Sequence, residues 1–332
     1  MKPAQFLLFP EAAVPPTLRQ AADTIRESGV GGLEGATLRA DHARYQEVHV
    51  RSALTRTEGV PYFHWALNPY RGCTHACEYC FARKYQRHLE LGAGDEFSSV
   101  IFVKTNLADV LRRELARASW AHETVAIGTA TDPYQPIEGR YRITRSCLEV
   151  FAKARTPVSI ITKGPMVVRD IDVLADIARH TECHVSMSIA SVDEAAWTRL
   201  EPGTASPAQR LRAVRQLADA GINAGVLMMP LVPGITTSRS SVERTMAAIA
   251  DAGAAYIGTS VAHLEDGVRD HFFSFLEREY PALVDGYQRL YVRKYANRGY
   301  VEKINAMVHA LRLKTGVRVA PRKSRVSSDE EP

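Results

Sequence analysis

Arg71-Gly72-Cys73-Thr74-His75-Ala76-Cys77-Glu78-Tyr79-Cys80-Phe81 is the stretch on which the reading of this chain turns. It holds three of only five cysteines in 332 residues, spaced so that one loop can wrap three thiols around one metal centre. Two thiols would suffice for a redox pair, and four would close a structural zinc site. Three leave one coordination position free, because an iron–sulfur cube normally takes four thiolates. An iron without a protein ligand is a place where a small molecule can bind and react. His75 or His64 as a fourth ligand would make a zinc site instead, but the chain has no second C-x2-C knuckle to complete it. The odd, low cysteine count argues against a disulfide framework. Cys147 and Cys183 lie far from the triplet in apolar contexts and read as buried small hydrophobes.

With 45% apolar residues, the chain can form one large domain or a core with appendages. The apolar start at Phe6-Leu7-Leu8-Phe9 is too short for a signal peptide and is interrupted by Pro10 and Glu11. No run approaches the ~18–20 apolar residues of a membrane span. Free cysteines fit a reducing cytoplasm, which is the expected location.

The formal net charge of +5 conceals an asymmetry. Between Arg289 and Arg325 eleven Lys or Arg face one acid, Glu302, so that segment carries +10 and the rest of the chain is acidic. Such a segment suits a polyanionic partner, nucleic acid first, or else it is a solvated helical face with a basic tail. Tyr287, Tyr291 and Tyr295 interleave with these charges at i, i+4 spacing. That spacing reads as a packing stripe, with base stacking as the alternative.

Residues 1–60 read as an irregular N-terminal extension with one helix near Thr17–Ser28. Short apolar runs then recur at Phe63–Asn68, Val100–Lys104, Thr124–Thr129, Val158–Thr162, His184–Ile189, Ala224–Met229 and Ala255–Ser260. Helical patterns separate most of them, at Ala108–Ala118, Thr144–Ala154, Val168–His180, Ala208–Ala220 and Ser240–Ala252. This alternation predicts an α/β fold with a parallel sheet of βα units occupying residues 61–266. Several runs are continuously apolar, as expected when both faces are covered. Polar residues gather at the C-terminal ends of the runs, where the loops of a parallel barrel assemble a site. A basic helical region is expected over 267–325 and an acidic, disordered tail over 326–332.

The pattern C-x3-C-x-aromatic-C, with Tyr79 as the aromatic residue, resembles the signature of the radical S-adenosylmethionine (radical SAM) superfamily. Four more stretches narrow the resemblance: Asn68-Pro69-Tyr70-Arg71-Gly72-Cys73, Thr131-Asp132-Pro133-Tyr134-Gln135-Pro136, Ile161-Thr162-Lys163 and Pro230-Leu231-Val232-Pro233-Gly234. Together they are similar to the spore photoproduct lyase-like branch, over roughly residues 60–265.

The resemblance implies a partial (β/α)6 TIM-type barrel, one [4Fe–4S] cluster on Cys73, Cys77 and Cys80, and S-adenosylmethionine as cofactor. It also implies an external electron donor of the flavodoxin or ferredoxin type. The expected reaction is reductive cleavage of S-adenosylmethionine to a 5′-deoxyadenosyl radical acting on an unidentified substrate. The cofactor's ammonium wants a carboxylate or hydroxyls, which Asp132, Thr129 and Thr131 offer. Its carboxylate wants a cation, and Lys163 stands at the end of the next run. Ser186 and Ser188 suit the ribose hydroxyls, while Tyr79 and Leu231–Gly234 suit adenine. Two departures bear on the substrate. Ala130 stands where the lyase carries a hydrogen-donating cysteine, and Phe81 where it carries a tyrosine. Radical generation is untouched by either, whereas dimer reversal by the lyase's route is not expected. The alternative from a different class is a non-catalytic three-cysteine metal- or cluster-binding protein, a redox sensor or nucleic-acid binder. Such a protein has no need of Asp132, Lys163 and Ser186.

Overall fold

Six of the apolar runs become consecutive parallel strands, each bounded by a loop that turns into a helix. In the computed structural model, residues 14–319 are described apart from 34–35, 39–42, 58–59, 61, 93, 95 and 266. The expected acidic tail, the apolar start and the last basic residues (Arg322, Lys323, Arg325) lie outside the described residues. The strands are β1 (Trp65–Leu67), β2 (Val125–Ile127), β3 (Val158–Thr162), β4 (Cys183–Ser188), β5 (Asn223–Leu231) and β6 (Tyr256–Val261). They pair in sequence order, β1 to β6, with every neighbour parallel. Leu54–Arg56 extends the sheet beyond β1 in antiparallel fashion, and Arg318–Val319 extends it beyond β6 in parallel. No pairing closes the two edges among the described residues, so the sheet is an open, partial barrel.

Alternation along each strand divides the sheet into two faces. On β4, Val185 and Met187 join the main apolar core, while Ser186 and Ser188 alternate to the opposite face. The outer face is covered by helices whose apolar residues recur at helical spacing. Val173, Leu174 and Ile177 are buried on the helix Ile171–His180, and Ala213, Val214 and Leu217 on Pro207–Asp219. The start of Pro207–Asp219 is written in the sequence: Ser206 caps it, Gln209 closes the capping box, and Pro207 takes the first turn.

One run departs from the expected pattern. Val100–Lys104 is a strand but does not enter the barrel; it lies parallel to Arg44–Val48 and antiparallel to Tyr70–Arg71 in a separate small sheet. The N-terminal extension is therefore not irregular throughout. Both sides of β1 are taken by β2 and Leu54–Arg56, so Val100–Lys104 finds its parallel neighbour in Arg44–Val48 instead. The small sheet holds the segment just before Cys73. Gly72, at φ +81°, lies so close to this sheet that a Cβ would come 2.4 Å from the Val100 carbonyl.

After β6, helices Val268–Glu279, Val284–Leu290 and Arg298–Thr315 pack back against the barrel. Tyr287 and Tyr291 are buried and stacked at 5.4 Å. Their hydroxyls donate to the Pro233 carbonyl (2.7 Å) and the Ala262 carbonyl (2.8 Å). The packing reading holds for these two. Tyr295 remains 59% exposed. No helix among the described residues is long and apolar enough to cross a membrane.

Two predictions follow from the packing. Leu174 is fully buried, so Leu174→Ala should lower unfolding stability by about 2–5 kcal/mol in denaturant titration. Arg298→Ala, at a highly exposed helical ion pair, should stay within about 0.5 kcal/mol. The second concerns Lys104, which donates to the Asn68 carbonyl at 2.7 Å. Burial, then the nearby Arg71 charge, pulls its pKa from 10.5 down to about 8. Between those values the unfolded chain holds a proton that the native state has released, so stability rises with pH across that window. Lys104→Met should lose that rise in pH-dependent denaturation; an unchanged profile would refute the assignment.

Candidate functional site

The C-terminal ends of β1, β2, β3 and β4 bring most of the expected residues to one mouth. Asn68, just past β1, holds the β2 loop through bonds to Thr129 (3.1 Å) and to the Ala130 amide (2.8 Å). The chain then runs through Tyr70–Arg71 into the cysteine loop. Cys73, Cys77 and Cys80 are all free thiols, two of them buried and the third partly so. Burial first, then the charges of Asp132 and the other two cysteines, raises the pKa of Cys73 well above the ordinary thiol value. Burial likewise pushes Cys77 up to about 12, against the pull of Lys163. Cys147 and Cys183 are buried in the main core.

The loop is fixed from several sides. The buried Arg83 guanidinium reaches the carbonyls of Ala76, Cys77 and Gly94 and lies over the Phe97 ring at 5.3 Å. The Glu78 amide donates to the Leu200 carbonyl at 3.0 Å, and the Gly203 amide to the His75 carbonyl at 3.2 Å. Gly203 is needed there: a Cβ would stand 2.2 Å from the Thr74 carbonyl. Glu78, largely covered, lies 2.7 Å from His271 on Val268–Glu279.

Asp132 is buried and engaged on both oxygens. Oδ1 accepts from the Tyr134 amide (2.9 Å) and the Thr162 hydroxyl (2.6 Å). Oδ2 accepts from the Lys163 amide (2.7 Å) and faces His75 Nδ1 at 3.3 Å. Burial works against this carboxylate, but the His75 ring and the other donors outweigh it and hold its pKa at about 2. Thr131 donates to the Gly72 carbonyl at 2.6 Å, and Gln135 joins it from the same loop.

Lys163 extends over the Tyr79 ring, its ammonium 5.5 Å from the ring centre. Burial opposes its charge, yet Cys77 and Glu201 more than offset this and raise its pKa. The Tyr79 hydroxyl donates to Glu201, whose second oxygen takes Arg210 at 2.5 Å. Arg210 is fully buried and also donates to the Ser188 carbonyl (2.8 Å) and Thr204 (2.9 Å). Glu201 and Arg210 were not expected from the sequence. Their only signal is Glu201-Pro202-Gly203, a turn whose acid faces inward. Ser186 shares a hydrogen bond with the Tyr256 hydroxyl at 2.7 Å, the ring crossing Gly225 to reach it. Ser188 reaches the Met229 carbonyl at 3.4 Å.

Thiols, a half-buried ammonium, a carboxylate–guanidinium pair and hydroxyls thus share one mouth. Among the described residues no three His, Cys, Asp or Glu side chains gather tightly enough to hold a single metal ion.

The family model described as Radical SAM superfamily matches residues 67–241. An uncharacterized protein of Mycobacterium tuberculosis (strain ATCC 25618 / H37Rv) is 38% identical over 255 residues, 76% of this chain and 75% of that protein. The radical SAM Nalpha-GlyT isomerase of Pseudomonas phage M6 is 27% identical over 199 residues, 58% of this chain and 38% of that one. Among solved structures, a spore photoproduct lyase variant with bound AdoMet and dinucleoside spore photoproduct superposes with a TM-score of 0.64 at 17% identity. The match covers 91% of this chain and 93% of the lyase, and it establishes a shared fold. By the family match and the 38% relative, the chain belongs to the radical SAM superfamily.

Proposed function

We propose that this enzyme holds a [4Fe–4S] cluster on Cys73, Cys77 and Cys80 and binds S-adenosylmethionine beside it at the barrel mouth. One observation carries the reading: three free thiols on the loop after β1 lie beside Lys163, at the end of β3, and the buried Glu201–Arg210 pair. The donor set fits the cluster. It has three free cysteines on one loop, one ligand short of the four thiolates such a cube normally takes. When bound, cluster and cofactor together supply an electron and a sulfonium whose carbon–sulfur bond breaks to give a 5′-deoxyadenosyl radical.

The protein's own residues bind, orient and exclude water. Lys163 is placed to neutralise the cofactor's carboxylate, with Tyr79 and Glu201 keeping its ammonium fixed. Asp132 and Thr131 shape the pocket wall for the cofactor's ammonium, chiefly by locking the cysteine loop to β2 and β3. Ser186 and Ser188 line the concave face for the ribose, and Tyr79 with Leu231–Gly234 for adenine. Radical SAM enzymes need an external reductant; a flavodoxin or ferredoxin in the cytoplasm suits this one.

The substrate we favour is nucleic acid. The C-terminal segment from Arg289 carries a large excess of Lys and Arg, the footprint of a polyanion partner. The fold is shared with a lyase solved with a dinucleoside, which agrees with this reading.

Anaerobic reconstitution of the wild-type chain should give about four irons per chain and the broad visible absorption of a cubane cluster. Cys73→Ala, Cys77→Ala or Cys80→Ala should each lose that absorption, and full loading of all three variants would contradict the ligand assignment. Lys163→Ala should load iron normally but bind S-adenosylmethionine roughly 10–100-fold more weakly in equilibrium dialysis, the scale of one lost charged hydrogen bond. Unaltered binding would remove Lys163 from the site.

A further inference from the structure

An enzyme that works on a base must first bring that base out of its stack, and the flanking bases then need somewhere to rest. Three aromatic rings line up on the rim of the mouth. Phe81 directly follows the last cluster cysteine, His263 follows β6, and Tyr295 belongs to the C-terminal region. Phe81 and His263 have ring centres 6.1 Å apart, and His263 and Tyr295 are 6.0 Å apart. The His263–Tyr295 pair is held by a backbone bridge, with the Leu264 amide donating to the Lys294 carbonyl at 2.7 Å.

These rings are not spent on the core. Phe81 is 38% and Tyr295 59% exposed. The Tyr295 hydroxyl has no hydrogen-bond partner among the described residues, unlike those of Tyr287 and Tyr291. Cations flank the row. Lys294 lies 4.9 Å from the Tyr295 ring centre and is exposed, as is Arg293. Lys84 lies 5.9 Å from the Phe81 ring centre and is held by Glu265 at 2.6 Å. Burial outweighs the Glu265 charge and lowers the His263 pKa, so its ring is neutral near pH 7 and offers a flat face. Flat rings alternating with cations suit a chain of bases joined by phosphates.

We infer that Phe81, His263 and Tyr295 form a stacking platform on which bases of a single nucleic-acid strand rest at the mouth, with Lys294 and Arg293 facing its phosphates. This rests on the nucleic-acid reading of the substrate given above. A strand fits better than a free nucleotide, because the segment that carries Tyr295 holds further cations, Arg289 and Arg298, on either side of Arg293 and Lys294 in the chain.

The test is fluorescence anisotropy of a short fluorescein-labelled single-stranded oligonucleotide with the anaerobically reconstituted full chain. Tyr295→Ala should weaken binding about tenfold while leaving the salt dependence unchanged, and Tyr295→Trp should retain affinity. Lys294→Ala should instead lessen the slope of log affinity against log salt by about one. Tyr295 is exposed, so its truncation leaves the fold intact. Wild-type affinity in Tyr295→Ala would overturn the platform and leave the nucleic-acid reading standing. Equal displacement by a nucleoside monophosphate would overturn the strand in favour of a single-nucleotide site. A wild-type chain that binds no oligonucleotide even at low salt would overturn both readings.

Discussion

The carboxylate of Asp132 joins three stretches of chain that are far apart in sequence. It takes donors from the β2 loop (Tyr134) and the end of β3 (Thr162 and Lys163), and it faces His75 of the cysteine loop at 3.3 Å. Hydrogen bonds to a charged group contribute about 1.5–3 kcal/mol each, and losing the group would leave several buried donors unpaired. Asp132 thus determines where the loop sits relative to the barrel. It also fixes the Lys163 backbone, and with it the reach of the Lys163 ammonium over Tyr79. From there a buried chain continues through Glu201 and Arg210 to the Ser188 carbonyl on β4. Four strand ends are registered against one another by side chains that meet almost no water.

This arrangement explains the electrostatics of the mouth. Left to itself, burial keeps the Cys73 and Cys77 thiols protonated. Metal binding to such thiols must release protons, so loading and local charge are linked. Lys163 and Arg210 carry positive charge nearby, and both hold the Glu201 carboxyl below its ordinary value against the effect of burial. The C-terminal helices are part of the same wall. Tyr287 and Tyr291 fasten them to the ends of β5 and β6, so the basic segment begins at the mouth instead of trailing from it.

Much of this was legible in the sequence, and the exceptions have physical causes. The barrel strands announced themselves because strands covered on both faces read as apolar runs, and the cysteine triplet because its spacing has few other uses. Val100–Lys104 read as one more barrel strand, since nothing local distinguishes it. Its true neighbour, Arg44-Tyr45-Gln46-Glu47-Val48, is too polar to read as a strand, and the pairing is set by distant geometry. Asp132 and Lys163 were found as polar residues at strand ends, but the engagement of Asp132 by three donors and the His75 ring depends on loops meeting in space. Glu201 and Arg210 were missed because charged residues are presumed solvated until their burial is seen. Tyr295 differs from Tyr287 and Tyr291 only in position, which spacing cannot resolve.

The central claim is that the cysteine loop and the strand-end residues form one radical-generating site. The most direct measurement is the yield of 5′-deoxyadenosine when the reduced, reconstituted chain meets S-adenosylmethionine, compared with a Cys77→Ala chain treated identically. The account predicts 5′-deoxyadenosine from the first and none above background from the second. A fully loaded wild-type cluster that binds S-adenosylmethionine yet yields no 5′-deoxyadenosine, with or without added oligonucleotide, would contradict it.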